Sequence, residues 1–261
     1  MAIYCIMYCR ECYYCSKGES KRCETFDSRI MGIYSPGGYA EYMPSPARCL
    51  CKLPDDIPLD LGNLTLDTIG VPYGAFREVG VDPSKSYAIY GCGPIGLAAI
   101  KMLKMEGVDE IAGVDIVDHK LDMAKYMGAK HVVNAAREDP VKFIKNIYNG
   151  VGTDIAVDAV GELEATMNVL ATPKKGGMAL ILGESPNLEI NPSLQLIHDE
   201  LSIVGTVYFN IRDHPKVVEV LRKGKDDFRK IISHVYPLEK INEAFRMFFE
   251  TRETLRVLVK P

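Results

Sequence analysis

No stretch of about 18 apolar residues occurs in the 261-residue sequence, so nothing in it reads as a membrane span. A surplus of positive charge is missing too. The 31 Lys and Arg face 35 Asp and Glu, a net charge of −4, which leaves no electrostatic footprint for nucleic acid or an anionic membrane surface. The first residues, MAIYCIMYCREC, have neither a basic flank nor a long apolar stretch, so they do not read as a signal peptide. The eight cysteines are therefore expected in a reducing cytoplasm, where clustered thiols bind metal more often than they pair. Tryptophan is absent, which excludes nothing. What is present is a globular composition, 47% apolar and 25% charged, long enough for one large domain or two ordinary ones.

Three zones follow one another. Residues 1–59 are rich in Cys, Tyr, Gly and Pro, and Gly37-Gly38 with Pro44, Pro46, Pro54 and Pro58 punctuate short extended pieces, the pattern of a β-rich region. Residues 60–208 alternate apolar runs with amphipathic stretches. The runs at 86–91, 110–115, 131–133, 153–161, 177–183 and 201–207 predict buried strands. The intervals 94–106, 118–127, 138–148 and 162–171 predict helices, with Asp118 as an N-cap. That alternation implies βαβ units, an α/β fold with a doubly wound parallel sheet covered on both faces. Residues 209–261 predict helices near 214–223 and 239–250 and a final strand at 255–259.

Gly91-Cys92-Gly93-Pro94-Ile95-Gly96 follows the first strand and opens the first helix. In that context the first glycine permits a tight turn, and the second lets backbone approach a diphosphate at the helix N-terminus. The third lets helix and strand pack closely. Asp115 ends the second strand, where a carboxylate accepts hydrogen bonds from an adenosine ribose diol and repels a 2′-phosphate, favouring NAD over NADP. Lys120, just beyond with His119, leaves some tolerance of that phosphate. The structural alternative is an ordinary βα turn with Asp115 closing a strand.

Cys9, Cys12, Cys15 and Cys23 are separated by two, two and seven residues. Four thiolates so close can close a tetrahedral shell around zinc, and such a shell is structural because no position stays open. Bacterial iron–sulfur runs share the first two spacers but continue with three residues and Cys-Pro. Here Cys23-Glu24 comes after seven. An unmetallated or disulfide-bonded cluster is the remaining alternative. Cys5, Cys49, Cys51 and Cys92 have no partner at ligand spacing and read as small buried apolar residues.

CRECYYCSKGESKRC followed by GCGPIGLAAI and GVDIVDHKLDMAKYMGA resembles the zinc-containing medium-chain alcohol dehydrogenases, and the similarity of pattern runs through essentially the whole chain. SPGGYAEYMPSPARCLCKLPDDI and LTLDTIGVPYGAF resemble the family's passage from zinc lobe to cofactor domain. The resemblance implies a Rossmann domain over 60–208, and a GroES-like catalytic domain, here incomplete, from 1–59 and 209–261. It implies reversible oxidation of an alcohol or polyol with hydride passing to NAD. Cys9, Cys12, Cys15 and Cys23 match its structural zinc ligands. Val160 and Gly161 match its adenine-side contact, Leu182 and Gly183 the backbone facing the nicotinamide, and Thr206 and Val207 the backbone that holds the carboxamide. Arg256 matches a basic residue reaching the pyrophosphate, with a solvated strand charge as its alternative. Asp67 aligns with the third ligand to the catalytic zinc, or else is a turn carboxylate. Pairing of the strand 201–207 across a two-fold axis, common in the family, implies a homodimer or homotetramer.

Family members carry a segment upstream of the zinc lobe that supplies a Cys ligand, a Ser or Thr of the proton relay and a His. None of the five histidines here precedes His119, so no catalytic residue is assigned. His198 reads as a surface or satisfied histidine and His214 as a helix-start cap. The sequence is expected to be a shortened form of a full enzyme or a remnant without alcohol chemistry. Two other functions stay open: a non-catalytic NAD- and zinc-binding interaction subunit, and a nucleic-acid-binding zinc lobe.

Overall fold

Backbone that turns around thiols has few N–H groups left for a sheet, and the start of the chain shows the consequence. The computed structural model describes residues 1–185 and 187–261. Its first 51 residues carry two short antiparallel strands, β1 (Ala2–Ile3) and β2 (Leu50–Cys51), with isolated bridges Ile6–Ile30 and Met31–Ser35. This is less strand than the composition of 1–59 predicts. The N–H groups of Cys9, Cys12 and Cys15 point at sulfur, and the prolines have no N–H to donate. Helices α1 (Tyr13–Ser16), α2 (Leu59–Leu64) and α3 (Gly70–Val79) follow. The last two carry Gly62, Gly70, Pro72 and Gly74, which weaken their helical signal in the sequence.

The chain divides into two compact units, residues 1–74 with 208–261, and residues 75–207. The second unit carries the large sheet. In it β3 (Tyr87–Tyr90), β4 (Ile111–Asp115), β5 (His131–Asn134), β6 (Thr153–Asp158), β7 (Pro173–Ile181) and β8 (Ser202–Gly205) form one six-stranded sheet. All its pairings are parallel, in the order β5-β4-β3-β6-β7-β8. Helices α4 (Pro94–Met105), α5 (Asp118–Met127), α6 (Pro140–Ile147) and α7 (Leu163–Ala171) connect them. Every residue of β3 is buried, as a central strand covered on both faces must be. Ala88, Tyr90, Ala112, Val114 and Ala156 form one core layer with Ile144 of α6 and Val169 and Leu170 of α7. Strand order reverses between β3 and β6, which opens a crevice at the carboxyl ends of the strands. Asp118 is the first residue of α5 rather than its cap. Val117 holds the cap position, because the Asp118 carboxylate is taken by Asn134 at 2.7 Å and Arg137 at 2.6 Å.

The remaining residues return to the first unit as α8 (His214–Lys223), α9 (Lys225–Arg229), β9 (Ile232–Pro237), α10 (Ile241–Glu250) and β10 (Arg256–Lys260), with β9 and β10 paired in parallel. In that unit's core, fully buried Tyr4 donates its hydroxyl to Phe209 O at 2.5 Å, its ring edge-on to Phe209. Among the described residues no helix is long and apolar enough to cross a membrane.

Candidate functional site

The glycine turn lies at the carboxyl end of β3, beside the point of strand reversal. Gly91 has φ +92°, a conformation that costs a side chain of L configuration dearly, and its N–H donates to Val114 O at 2.8 Å. A Cβ on Gly96 would stand 1.7 Å from Gly91 O, so only glycine lets α4 start this close to the turn. Around Gly93 the reverse holds: nothing lies within 4 Å of the place a Cβ would occupy. Pro94 opens α4, with Gly93 as its cap and no side chain bonded over the helix end. An open helix N-terminus behind bare backbone is an anion site, and this cradle fits the diphosphate of a dinucleotide.

Asp115, half-buried at the end of β4, is locked by three backbone donors. Its Oδ2 accepts from Cys92 N–H at 2.8 Å, and its Oδ1 from Ile116 N–H at 2.8 Å and Val117 N–H at 3.0 Å. An ionised carboxylate has about four acceptor positions, so one is left for a ligand hydroxyl. Cys92 is fully buried within the turn, and burial first, then the Asp115 charge, pushes its thiol well up against the effect of Lys120. Val160 is exposed while Gly161 is buried at φ +85°. Leu182 and Gly183 both donate N–H to Asp158 O. Thr206 N–H donates to Ile181 O at 3.2 Å, and Val207 is exposed.

In the first unit the sulfurs of Cys9, Cys12, Cys15 and Cys23 all lie within 4.8 Å of one another, and none is in a disulfide. A tetrahedral zinc with bonds of about 2.3 Å sets its sulfurs about 3.8 Å apart, and Cys9 and Cys15 Sγ are separated by 3.8 Å. N–H groups of Cys9, Cys12 and Cys15 point at Cys23, Cys9 and Cys12 Sγ at 3.2, 3.3 and 3.5 Å, the usual neutralisation of thiolate charge. Arg10, inside the first Cys-x-x-Cys turn, has φ +75°. At Cys23 burial raises the thiol, but the Thr25 hydroxyl and the Cys9 and Thr25 N–H groups outweigh it and bring it down to about 6. The donor set and spacing fit zinc.

Asp67 is in an ion pair. Arg256 Nη1 meets its Oδ2 at 2.9 Å, and Arg256 Nη2 meets Asn63 Oδ1 at 3.3 Å. Cys5 is half-buried rather than buried and lines a cavity of about 420 Å³ with Met31, Met43, Leu53, Asn63 and Leu66. Burial first, and the Asp67 charge after it, raise the Cys5 thiol against a hydrogen bond with Tyr208. Among the described residues the four cysteines of the lobe are the group of three or more Cys, His, Asp or Glu donors close enough to share a metal. The donors around Asp67 do not assemble a second such shell.

Known proteins carry the same two parts. A family model for zinc-binding dehydrogenases matches residues 94–223 and one for the alcohol dehydrogenase GroES-like domain matches residues 1–55. An alcohol dehydrogenase of Geobacillus stearothermophilus is 32% identical over 255 residues, 97% of this chain and 72% of that protein. The chain belongs to the zinc-containing medium-chain alcohol dehydrogenase family. A sorbitol dehydrogenase of Bacillus subtilis is 28% identical over 97% of this chain and 71% of its own length. The solved alcohol dehydrogenase of Thermus sp. ATN1 superposes with a TM-score of 0.87 at 26% identity, covering 97% of this chain and 75% of that one. The protein is thus an oxidoreductase of the alcohol dehydrogenase family, with a Rossmann α/β fold and a GroES-like domain.

The histidines of this dehydrogenase differ in burial. His119 and His198 are exposed. His214 is not a simple cap: it is 3% exposed, and its Nε2 bonds Thr65 Oγ1 at 2.9 Å. Two residues carry little signal in the sequence. Asp158 hides in the apolar run TDIAVDAVG, and Tyr208, at φ +46°, follows β8 without a motif. A carboxylate closing a strand directly before a glycine turn was the available hint for the first.

Proposed function

We propose that this dehydrogenase binds NAD at the turn Gly91–Gly96 and transfers hydride between an alcohol or polyol and the nicotinamide. The observation that carries the reading is Asp115, fixed by three N–H donors beside the turn with one acceptor position left over. That position suits a ribose hydroxyl, and the charge disfavours a 2′-phosphate there. Bound NAD supplies the hydride acceptor. The residues of this chain hold and orient it: Gly93, Pro94, Ile95 and Gly96 at the diphosphate, Asp115 at the ribose with Lys120 nearby. Val160 and Gly161 lie on the adenine side, Leu182 and Gly183 face the nicotinamide, and Thr206 and Val207 hold its carboxamide, while the charge of Arg256, the candidate pyrophosphate contact, is paired with Asp67 in the first unit. Cys9, Cys12, Cys15 and Cys23 hold a structural zinc. Eight cysteines with no disulfide among them suit the reducing cytoplasm, and the edge strand β8, which among the described residues pairs with β7, suits pairing with a second copy.

One observation favours a second reading. Asp67, the candidate ligand for a catalytic zinc, is engaged by Arg256, and the described residues gather no second metal shell. On that reading the chain binds NAD and one zinc without turnover, as a partner of another subunit. Metal analysis with an activity screen separates the two. About two zincs per chain and NAD reduction with some alcohol or polyol support the enzyme. About one zinc, NAD binding and no turnover support the second reading.

A further inference from the structure

A carboxylate buried at the end of a strand is costly unless its oxygens are all engaged. Asp158 ends β6 with 0% exposure. Its Oδ1 accepts from Val160 N–H at 2.8 Å and Gly161 N–H at 3.0 Å, and its Oδ2 accepts from the Thr166 hydroxyl at 2.6 Å. Its main-chain oxygen accepts from Leu182 N–H at 2.9 Å and Gly183 N–H at 3.1 Å. One residue therefore ties together the loop after β6, the first turn of α7 and the loop after β7.

These loops have no slack. A Cβ on Gly183 would stand 2.2 Å from Gly161 N, and a Cβ on Gly91 would stand 2.6 Å from Val160 Cγ2. Any shift of Val160-Gly161 is met by the glycine turn on one side and Gly183 on the other. No Lys or Arg pairs with Asp158 among the described residues, so the carboxylate works by accepting N–H and O–H bonds.

Resting on the reading of this unit as an NAD site, we propose that Asp158 is its positioning residue. It holds the backbone at Val160-Gly161 and at Leu182-Gly183 in one geometry relative to Gly91, so that the dinucleotide enters a slot already formed. Pre-set geometry lowers the ordering cost of binding. Fully covered, Asp158 acts through these backbone groups.

Asp158→Ala, Asp158→Asn and Thr166→Val in the full chain test this. Asparagine is the rescue: its oxygen can accept both N–H bonds and its amide can donate to Thr166 Oγ1, whose proton then goes to Glu162 O, 3.2 Å away. Two quantities are read where circular dichroism shows each variant folded: amide hydrogen exchange at Val160 and Gly161 without ligand, and the NADH dissociation constant by fluorescence. Asp158→Ala is expected to lose the exchange protection and to bind NADH about tenfold more weakly. Asp158→Asn is expected to keep protection and stay within roughly threefold of wild type, and Thr166→Val to weaken binding roughly threefold. Wild-type affinity in Asp158→Ala, or equal losses in the alanine and asparagine variants, would overturn the assignment. Should Asp158→Ala not fold, Thr166→Val decides, and unchanged exchange and affinity there overturn it. A wild-type chain that binds no NADH overturns the dinucleotide reading instead, while the exchange data still judge the bracing.

Discussion

In residues 1–74 and 208–261 the four thiols that fit zinc stand within fifteen residues of chain. In residues 75–207 the groups around the glycine turn come from positions 91, 115, 158, 160 and 183, on four strand ends. The first site is made by local turns, and its geometry is encoded in spacers of two and seven residues. The second is made by strand order, since the pairings of β3 with β4 and β6, and of β6 with β7, bring those positions together. A local site should fail alone when a ligand is removed, while a site built on a sheet should lose binding and stability together.

The largest expected effect breaks the local site. Cys12→Ser should lower the metal content by about one zinc per chain and loosen the lobe by circular dichroism while NADH binding by residues 75–207 persists. Unchanged zinc content would contradict the ligand assignment. Next comes Gly96→Ala, whose added Cβ meets Gly91 O at 1.7 Å. It should cost about 3 kcal/mol or more of stability and abolish NADH binding, both read in one denaturant series with and without cofactor.

Acid should sharpen the comparison within the first unit. Burial holds His214 down to about 4, against 6.5 for a free imidazole. As the pH falls the unfolded chain takes up this proton first. The stability tied to neutral His214 is therefore whole above about 6.5, declines below it and is gone near 4, a loss of up to roughly 3 kcal/mol. Urea unfolding across that range should show the slope in wild type and a flatter one in His214→Gln. The smallest effect is Asp115→Ala, expected to weaken NAD about tenfold and NADP less, by parallel titrations. Equal losses would argue against ribose recognition.

The same contrast explains what could be read from the sequence. The cysteine spacers and the glycine turn carry their chemistry in a few adjacent residues, and the six apolar runs announce the sheet, although only β3 is buried along its whole length and the edge strand β8 has no buried residue. Strand β9, ISHVYP, has a weak strand signal because its residues alternate between half-buried and exposed and a proline ends it. Helices α2 and α3 were masked by glycines that packing requires. Asp118 looked like a cap until Asn134 and Arg137, far along the chain, claimed its carboxylate. His214 looked like a cap because its partner, Thr65, lies 149 residues away. Asp158 and the pairing of Asp67 with Arg256 are likewise products of tertiary structure, which no local pattern states.

The most direct test of the account is a fluorescence titration of the purified, zinc-loaded chain with NADH and, in parallel, NADPH. The account predicts saturable binding of NADH, about tenfold or more tighter than NADPH. Absence of saturable binding by both, in a chain whose sheet is intact by circular dichroism, would contradict it.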